Sequence, residues 1–422
     1  MKILVVGSGG REHAIIKKLK ENKSVDTIYA LPGNGGIAAD AVCVPIGACE
    51  IEKIADFAKK NAVDFAVVAP DDPLVLGCVD ALEDVGIQCF GPRANAAIIE
   101  GSKVFAKNLM KKYSIPTAAY EVFDDPDKAI SYIESVSMPV VVKADGLALG
   151  KGVTVAMTKE EAVGAVNDAM KNNKFGAGGR RVVIEEYLEG PEVSVLSFTD
   201  GKTVVPMVSS MDHKRAYDND IGPNTGGMGT IAPNPYYTPE IAAVCMKEIF
   251  IPTINAMNSE GRTFKGCLYF GLMLTKSGPK VIEYNCRFGD PETQVVLPLL
   301  ETDLLTVMTA TAQGRLSDTE IRFGDRAACC VIMASDGYPL SYKKGFEVSV
   351  PNDLAGSVYY AGVTLENGRP VTSGGRVLGV VGIADRLPDA IKDAYDKVGR
   401  IHFENAFYRR DIGRKAMKKT EV

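Results

Sequence analysis

Residues 281–292 read Val-Ile-Glu-Tyr-Asn-Cys-Arg-Phe-Gly-Asp-Pro-Glu, an apolar strand start that runs into a dense series of charged and amide side chains. Residues two apart on a strand share a face, so Glu283 and Asn285 project together. A carboxylate and an amide oxygen side by side suit Mg²⁺, or Mn²⁺ in its place, when phosphate oxygens and waters complete the shell. Arg287, on the loop that follows, is a forked cation fitted to a small carboxylate or a phosphate. The bland alternative is a surface strand with a chance charge pattern. The facing strand, near 267–274, offers no acid, so a second protein carboxylate for the metal is not evident there.

Moving outward, a strand near 139–143 ends in Lys143, followed by DGLALGKGV with glycines at 146, 150 and 152. Such a loop can fold over a triphosphate, and the lysine supplies a positive charge to it. The helix-associated GxxxxGK[ST] pattern is missing, so this is not a P-loop. Lys103, in EGSK, reads either as a second phosphate contact or as a solvated lysine at a helix start. The stretch 184–188, IEEYL, is a strand end whose backbone can meet an adenine edge, with Glu192 placed for ribose hydroxyls; an exposed acidic hairpin end is the alternative.

At the N-terminus a short apolar strand, 3–6, enters the loop GSGGREH, 7–13. Glycines and helix N-terminal N–H groups favour an anion there. A dinucleotide fingerprint wants glycine or alanine where Glu12 stands, and a carboxylate would repel a pyrophosphate. A single phosphate, as on a phosphosugar, fits Gly9 and Gly10 better; a ligand-free tight turn also remains open. The first hundred residues alternate short apolar strands with helical periodicity, which predicts a doubly wound parallel sheet. Beyond them the pattern is α+β, with a polar, glycine-rich segment at 211–230 too long for a simple turn. The expected architecture is α/β. It comprises an N-terminal domain (1–102), a central region (103–326) with a flexible lid at 123–192, and a small α+β C-terminal domain (327–422).

Composition narrows the classes. Hydrophobic residues make up 46% and charged residues 24% of 422, as in ordinary globular proteins. No apolar run reaches the ~18 residues that span a bilayer, and no signal peptide is evident, so a cytoplasmic protein is expected. The net charge is −5 with no long basic run, which argues against a nucleic-acid partner. Nine cysteines without CxxC pairs, and only three histidines, predict buried apolar thiols rather than zinc or disulfides.

Taken together, the sequence resembles the ATP-grasp superfamily and, within it, the phosphoribosylamine–glycine ligase family. GSGGREHA, PGNGG (32–36), EGSK, KADGLALGKGV, VIEEYLEG, DHKR (212–215), GPNTGGMG (222–229), VIEYNCRFGDPETQ and GGRVL (374–378) occur in that family's order along essentially the whole chain. The resemblance implies ligation of glycine to 5-phosphoribosylamine through glycyl phosphate, giving glycinamide ribonucleotide, ADP and phosphate. It implies ATP as co-substrate, small-molecule partners only, and a monomer as the default state. By the same resemblance Lys103, Lys143, Gly150, Lys151, Gly152, Glu185, Glu186, Tyr187, Leu188 and Glu192 would serve ATP. Glu283 and Asn285 would hold the metal. Gly9, Gly10, Asp212, Lys214, Arg287 and Asp290 would serve the other substrates, with Arg287, Asp290 and Lys143 closest to the chemistry. Two positions depart from the family pattern. Ala69-Pro-Asp71-Asp72-Pro-Leu74 stands where the family has Gly-Pro-Glu-Ala-Pro-Leu, and Leu149 replaces an alanine. The first departure bears on the amine substrate. A different ATP-grasp ligase, a nicotinamide dehydrogenase and a non-catalytic phosphosugar-binding protein are the rival classes.

Overall fold

The computed structural model describes residues 1–148 and 152–420. Its N-terminal part is a five-stranded, all-parallel sheet in the order 42–43, 27–32, 2–7, 65–68, 88–90. The central strands are apolar on both faces because helices cover both; Ile3, Leu4, Val5 and Val6 are fully buried. The first strand, Lys2–Gly7, leads directly into helix Gly10–Leu19.

Two antiparallel sheets follow. The first comprises Tyr120–Phe123, Val182–Glu186, Val140–Ala144 and Val153–Ala156, with helices Pro126–Ser135 and Lys159–Val166 packed on it. Its apolar side chains, among them Ile133, Val142, Ala162 and Ile184, form a cluster of their own. The second sheet runs Val204–Pro206, Glu192–Thr199, Gly266–Thr275, Gly278–Asn285. One apolar cluster joins this sheet to the N-terminal part, through Leu4, Val68, Val195 and Phe270.

The last sheet carries Ala327–Ser335, Arg376–Ala384 and Val358–Tyr360, with helix Leu387–Val398 against it. It also takes in Met211–Asp212 and Gly229–Ala232 from the glycine-rich segment that reads as a long loop in the sequence. Strands of two to four residues give too little periodicity to recognise. Seven of the nine cysteines are buried; Cys43 is half-buried and Cys49 exposed, and all are free. No helix among the described residues is long and apolar enough to cross a membrane.

Candidate active site

The loop after strand Gly278–Asn285 is the meeting point of all three parts of the chain. A bulge at Ile282 breaks the alternation of this strand, so Val281 and Tyr284 both pack into the core while Glu283 and Asn285 stay half-buried on the face opposite Tyr284. Burial pushes the Glu283 pKa up, but the charges of Lys214, Lys143, Lys103 and Arg287 outweigh it and hold the carboxyl at about 2. Lys214 Nζ lies 3.5 Å from Glu283 and 3.2 Å from Glu192. Glu192, read from the sequence as a ribose contact, therefore shares one cation with the metal-ligand candidate.

The sheet of strands 120–123, 182–186, 140–144 and 153–156 brings Lys143 to the same place. Its Nζ donates to the carbonyl of Ile282 at 2.8 Å and sits 3.0 Å from Glu185, which also meets Lys107 at 3.2 Å. Lys107 was not singled out by sequence reading. Burial drives its pKa down to about 8 despite the nearby Glu185 carboxylate. Lys103 starts helix Lys103–Lys112; its backbone N–H donates to Asp145 O and its Nζ to Gly146 O at 3.1 Å. Glu186 lies on the outer side, where its carboxylate accepts the Ala119 N–H and meets Lys280 at 3.0 Å. Tyr187 is exposed, and Leu188 is half-buried beside it. Gly152 is described, whereas Leu149, Gly150 and Lys151 lie outside the described residues.

Arg287 is gripped from the N-terminal side. Its Nη2 donates to Glu100 at 2.7 Å and lies 3.8 Å from Asp71, while its Nε is buried without a hydrogen-bond partner. Glu100 also accepts the Cys286 N–H at 2.6 Å, and burial raises its pKa. Asp71, at the carboxyl end of strand Phe65–Val68, has its pKa raised by burial but lowered further by Arg287 and Arg11.

Asp290 packs against the first loop: a Cβ on Gly9 would lie 3.4 Å from its Oδ2. It accepts from Gln294 at 2.7 Å and from Arg376 at 3.0 Å. In the first loop itself, the buried Glu12 takes the Gly9 N–H at 2.5 Å and Arg11 Nε at 2.6 Å. Gly7, at φ +126°, leaves the room that Glu12 occupies, since a Cβ there would lie 2.5 Å from the Glu12 Cγ. A pyrophosphate at this turn would have to displace that carboxylate.

On the far wall Asp212 and Glu292 form a second acidic pair. Burial, and then the neighbouring Glu292 charge, raise the Asp212 pKa well above the usual range. Asp212 Oδ1 has no hydrogen-bond partner, and Ser194 links Tyr269, at 2.7 Å, to Glu292, at 3.4 Å. Two orphaned buried groups of opposite character, Arg287 Nε and Asp212 Oδ1, thus belong to side chains that both feel the charge of Glu292. Such groups ask for a partner, and a zwitterion would satisfy both.

The donor set suits a hard cation bound to phosphates: one ionised carboxylate and one amide oxygen on a shared face. No cluster of three or more His, Cys, Asp or Glu side chains placed to hold a metal occurs among the described residues. The remaining ligands of such an ion would therefore come from substrate and water.

Comparison with known proteins places this geometry. Three family models match in sequence order: phosphoribosylglycinamide synthetase N domain over residues 1–100, its ATP-grasp (A) domain over 101–293 and its C domain over 328–415. The chain is 48% identical over 413 residues to a phosphoribosylamine–glycine ligase from Caldanaerobacter subterraneus subsp. tengcongensis, covering 98% of this chain and 99% of that one. The chain belongs to the phosphoribosylamine–glycine ligase family. The crystal structure of the family's member from Thermotoga maritima superposes with a TM-score of 0.86 at 34% identity, covering 98% of this chain and 100% of that one. The biotin carboxylase domain of 2-oxoglutarate carboxylase from Hydrogenobacter thermophilus, at 17% identity and a TM-score of 0.75, covers 96% of this chain and 91% of that one. That likeness shows a shared ATP-grasp fold and nothing finer.

Proposed function

We propose that this chain joins glycine to 5-phosphoribosylamine at the expense of ATP, in purine biosynthesis, at the cleft floored by residues 283–292. The observation that carries the reading is the convergence at one strand end of ionised Glu283, Asn285 and Arg287 with Lys103, Lys143 and Lys214, in a chain that matches its relative over 98% of its length.

Phosphoryl transfer needs charge neutralisation and in-line positioning more than a covalent nucleophile. Lys103 and Lys143 hold the ATP phosphates, and Gly150, Lys151 and Gly152 of the glycine-rich stretch serve them too. The backbone of 185–188 receives the adenine and Glu192 the ribose. Glu283 and Asn285 would hold Mg²⁺ or Mn²⁺, which when bound would supply neutralising charge to the phosphates. Arg287 offers its free Nε to the glycine carboxylate, while Asp212 and Asp290 face the ammonium, and Lys214 bridges Glu192 and Glu283 and screens their mutual repulsion. The glycine carboxylate takes the γ-phosphoryl group, releasing ADP and giving glycyl phosphate. The amine of phosphoribosylamine then attacks that carbonyl; the C–N bond forms and phosphate leaves, giving glycinamide ribonucleotide. The phosphosugar sits at Gly9 and Gly10, whose helix still offers first-turn N–H groups beyond the one Glu12 takes.

Functionally the chain divides at 1–102, 103–326 and 327–422, with 123–192 as a lid. The lid's separate apolar cluster supports its moving as a body. Excluding water protects an acyl phosphate from hydrolysis.

The test is ADP release with MgATP and glycine, with and without phosphoribosylamine generated in place, together with mass detection of the ribonucleotide. ADP and product that depend on all three substrates support the reading. ATP turnover without that product assigns a different amine acceptor and points to Asp71 and Asp72.

A further inference from the structure

The late motif GGRVL has no role in the mechanism above, yet its arginine reaches the site. Arg376 opens strand Arg376–Ala384 of the C-terminal sheet, and its side chain is about four-fifths buried, with 20% exposed. Nη1 donates to the carbonyls of Gly226, at 2.7 Å, and Asp290, at 2.8 Å; Nη2 donates to the Asp290 carboxylate at 3.0 Å. One guanidinium thus ties the glycine-rich segment 222–229 to the loop after the metal-ligand strand. The charge of Arg376 also counters the burial that would otherwise raise the Asp290 pKa.

A second C-terminal residue grips the same glycine from its other side. Gly226 donates its N–H to Tyr338 Oη at 3.1 Å. Tyr338 packs so closely on Gly375, next to Arg376, that a Cβ there would lie 2.2 Å from its ring. Both backbone groups of Gly226 are therefore held by the C-terminal domain. The segment in turn fixes the opposite wall of the cleft: Thr225 N–H donates to Lys214 O, and Met228 N–H to His213 O, each at 2.8 Å. Gly227, at φ +109°, lies against Asp212, 2.7 Å from the position of a Cβ to Oδ1.

We infer that Arg376 is a positioning residue for glycine use: by clasping Gly226 to Asp290 it sets the distance between the two walls that hold the amino acid. The inference rests on the assignment of Asp212 and Asp290 to the glycine ammonium. A planar fork that donates in two directions at once does this; a lysine, with a single nitrogen, satisfies one partner well and the other poorly. Loss of a charge-assisted contact to a substrate-binding carboxylate raises KM by about tenfold or more.

The experiment compares Arg376→Ala, Arg376→Lys, Tyr338→Phe and Asp290→Asn by steady-state kinetics, hydrogen exchange over 222–229 and thermal unfolding. Arg376→Ala is expected to raise the glycine KM about tenfold with the ATP KM within about twofold, and to speed exchange across 222–229. Arg376→Lys, or guanidinium ion added to Arg376→Ala, recovers part of the loss. A raised glycine KM in Asp290→Asn with none in Arg376→Ala overturns the clasp and leaves the role of Asp290 standing. Unchanged glycine KM in both overturns the assignment of Asp290 and the inference with it. Should Arg376→Ala fail to unfold cooperatively, Tyr338→Phe carries the test, since its ring keeps the packing on Gly375. Faster exchange at Gly226 with a glycine KM raised about two- to threefold supports the clasp, and no change in either overturns it.

Discussion

At the scale of single residues, charge and parity decide most of the site. Glu283 is held ionised by four cations, so removing it leaves Lys214, Lys143 and Lys103 facing one another without their common counter-charge. Glu283→Ala is expected to lower kcat by at least about a hundredfold, since loss of even an outer-shell metal partner costs about 10–100-fold. Circular dichroism should stay close to wild type, because Lys143 keeps Glu185 and Lys214 keeps Glu192 as counter-charges, with the melting temperature lowered only by the residual repulsion. Turnover retained at saturating Mg²⁺ removes Glu283 from the metal site. For Arg287, whose Nη2 is bound to Glu100 and whose Nε is free, lysine cannot reproduce both edges. Arg287→Lys should raise the glycine KM about tenfold and leave the ATP KM unchanged; an unchanged glycine KM moves this arginine to another role. The shared face of Glu283 and Asn285 was legible in the sequence because strand parity is local. Glu100 and Arg376 were not, since their partners lie 187 and 86 positions away.

Elements show the same division between local and distant information. The parallel sheet of the first ninety residues could be read from its apolar runs, because its central strands Lys2–Gly7 and Phe65–Val68 are buried on both faces; the two-residue edge strand Val42–Cys43, exposed at Val42, carries no such signal. The pairing of 229–232, which in turn carries 211–212 on its other edge, with strand Ala327–Ser335 could not, because it is decided about a hundred residues later in the chain. Helix Lys103–Lys112 is a case where one unread residue fixes an element. Ser102 caps it by accepting the Phe105 N–H, and Asp145, just after strand Val140–Ala144, accepts both the Ser102 hydroxyl and the Val104 N–H at 2.8 Å. The other oxygen of Asp145 takes Arg181 Nε at 3.0 Å and Nη2 at 2.5 Å. A buried carboxylate at a helix N-terminus both satisfies free donors and complements the helix dipole. Asp145 thereby joins the end of strand Val140–Ala144 to the helix whose first residue is the phosphate-binding candidate Lys103. Asp145→Ala should cost about 2 kcal/mol of stability in urea unfolding. It should also raise the ATP KM about tenfold while sparing the glycine KM. A variant that loses stability with an unchanged ATP KM would confine Asp145 to a structural role.

Across the whole molecule, two of the three histidines act as buried neutral acceptors that join distant parts of the chain. His13, on the first helix, accepts the Tyr360 N–H of the C-terminal domain through Nδ1, which leaves Nε2 to donate to Asp40. His213 accepts the Gly413 N–H through Nε2 and donates from Nδ1 to Gly229 O. Protonating either acceptor nitrogen breaks a contact between parts more than 190 residues apart. Burial, followed by the charge of Arg409, lowers the His213 pKa to about 4, and burial lowers that of His13. A folded-state value below the unfolded one means that the unfolded chain binds protons first. The stability that neutral His213 contributes is therefore complete above about pH 6.5 and is lost progressively as pH falls toward 4. Between pH 7.5 and 5.5 its share of the loss is about 1.4 kcal/mol, with His13 adding in the same direction. The raised pKa values of Asp212 and Glu292 act with the opposite sign, so the comparison must be with variants rather than between pH values alone. Urea midpoints at pH 7.5 and 5.5 should fall less in His213→Gln and in His13→Gln than in wild type. An identical fall in all three proteins would mean that these contacts survive protonation, and that the acid sensitivity of the assembled domains lies elsewhere.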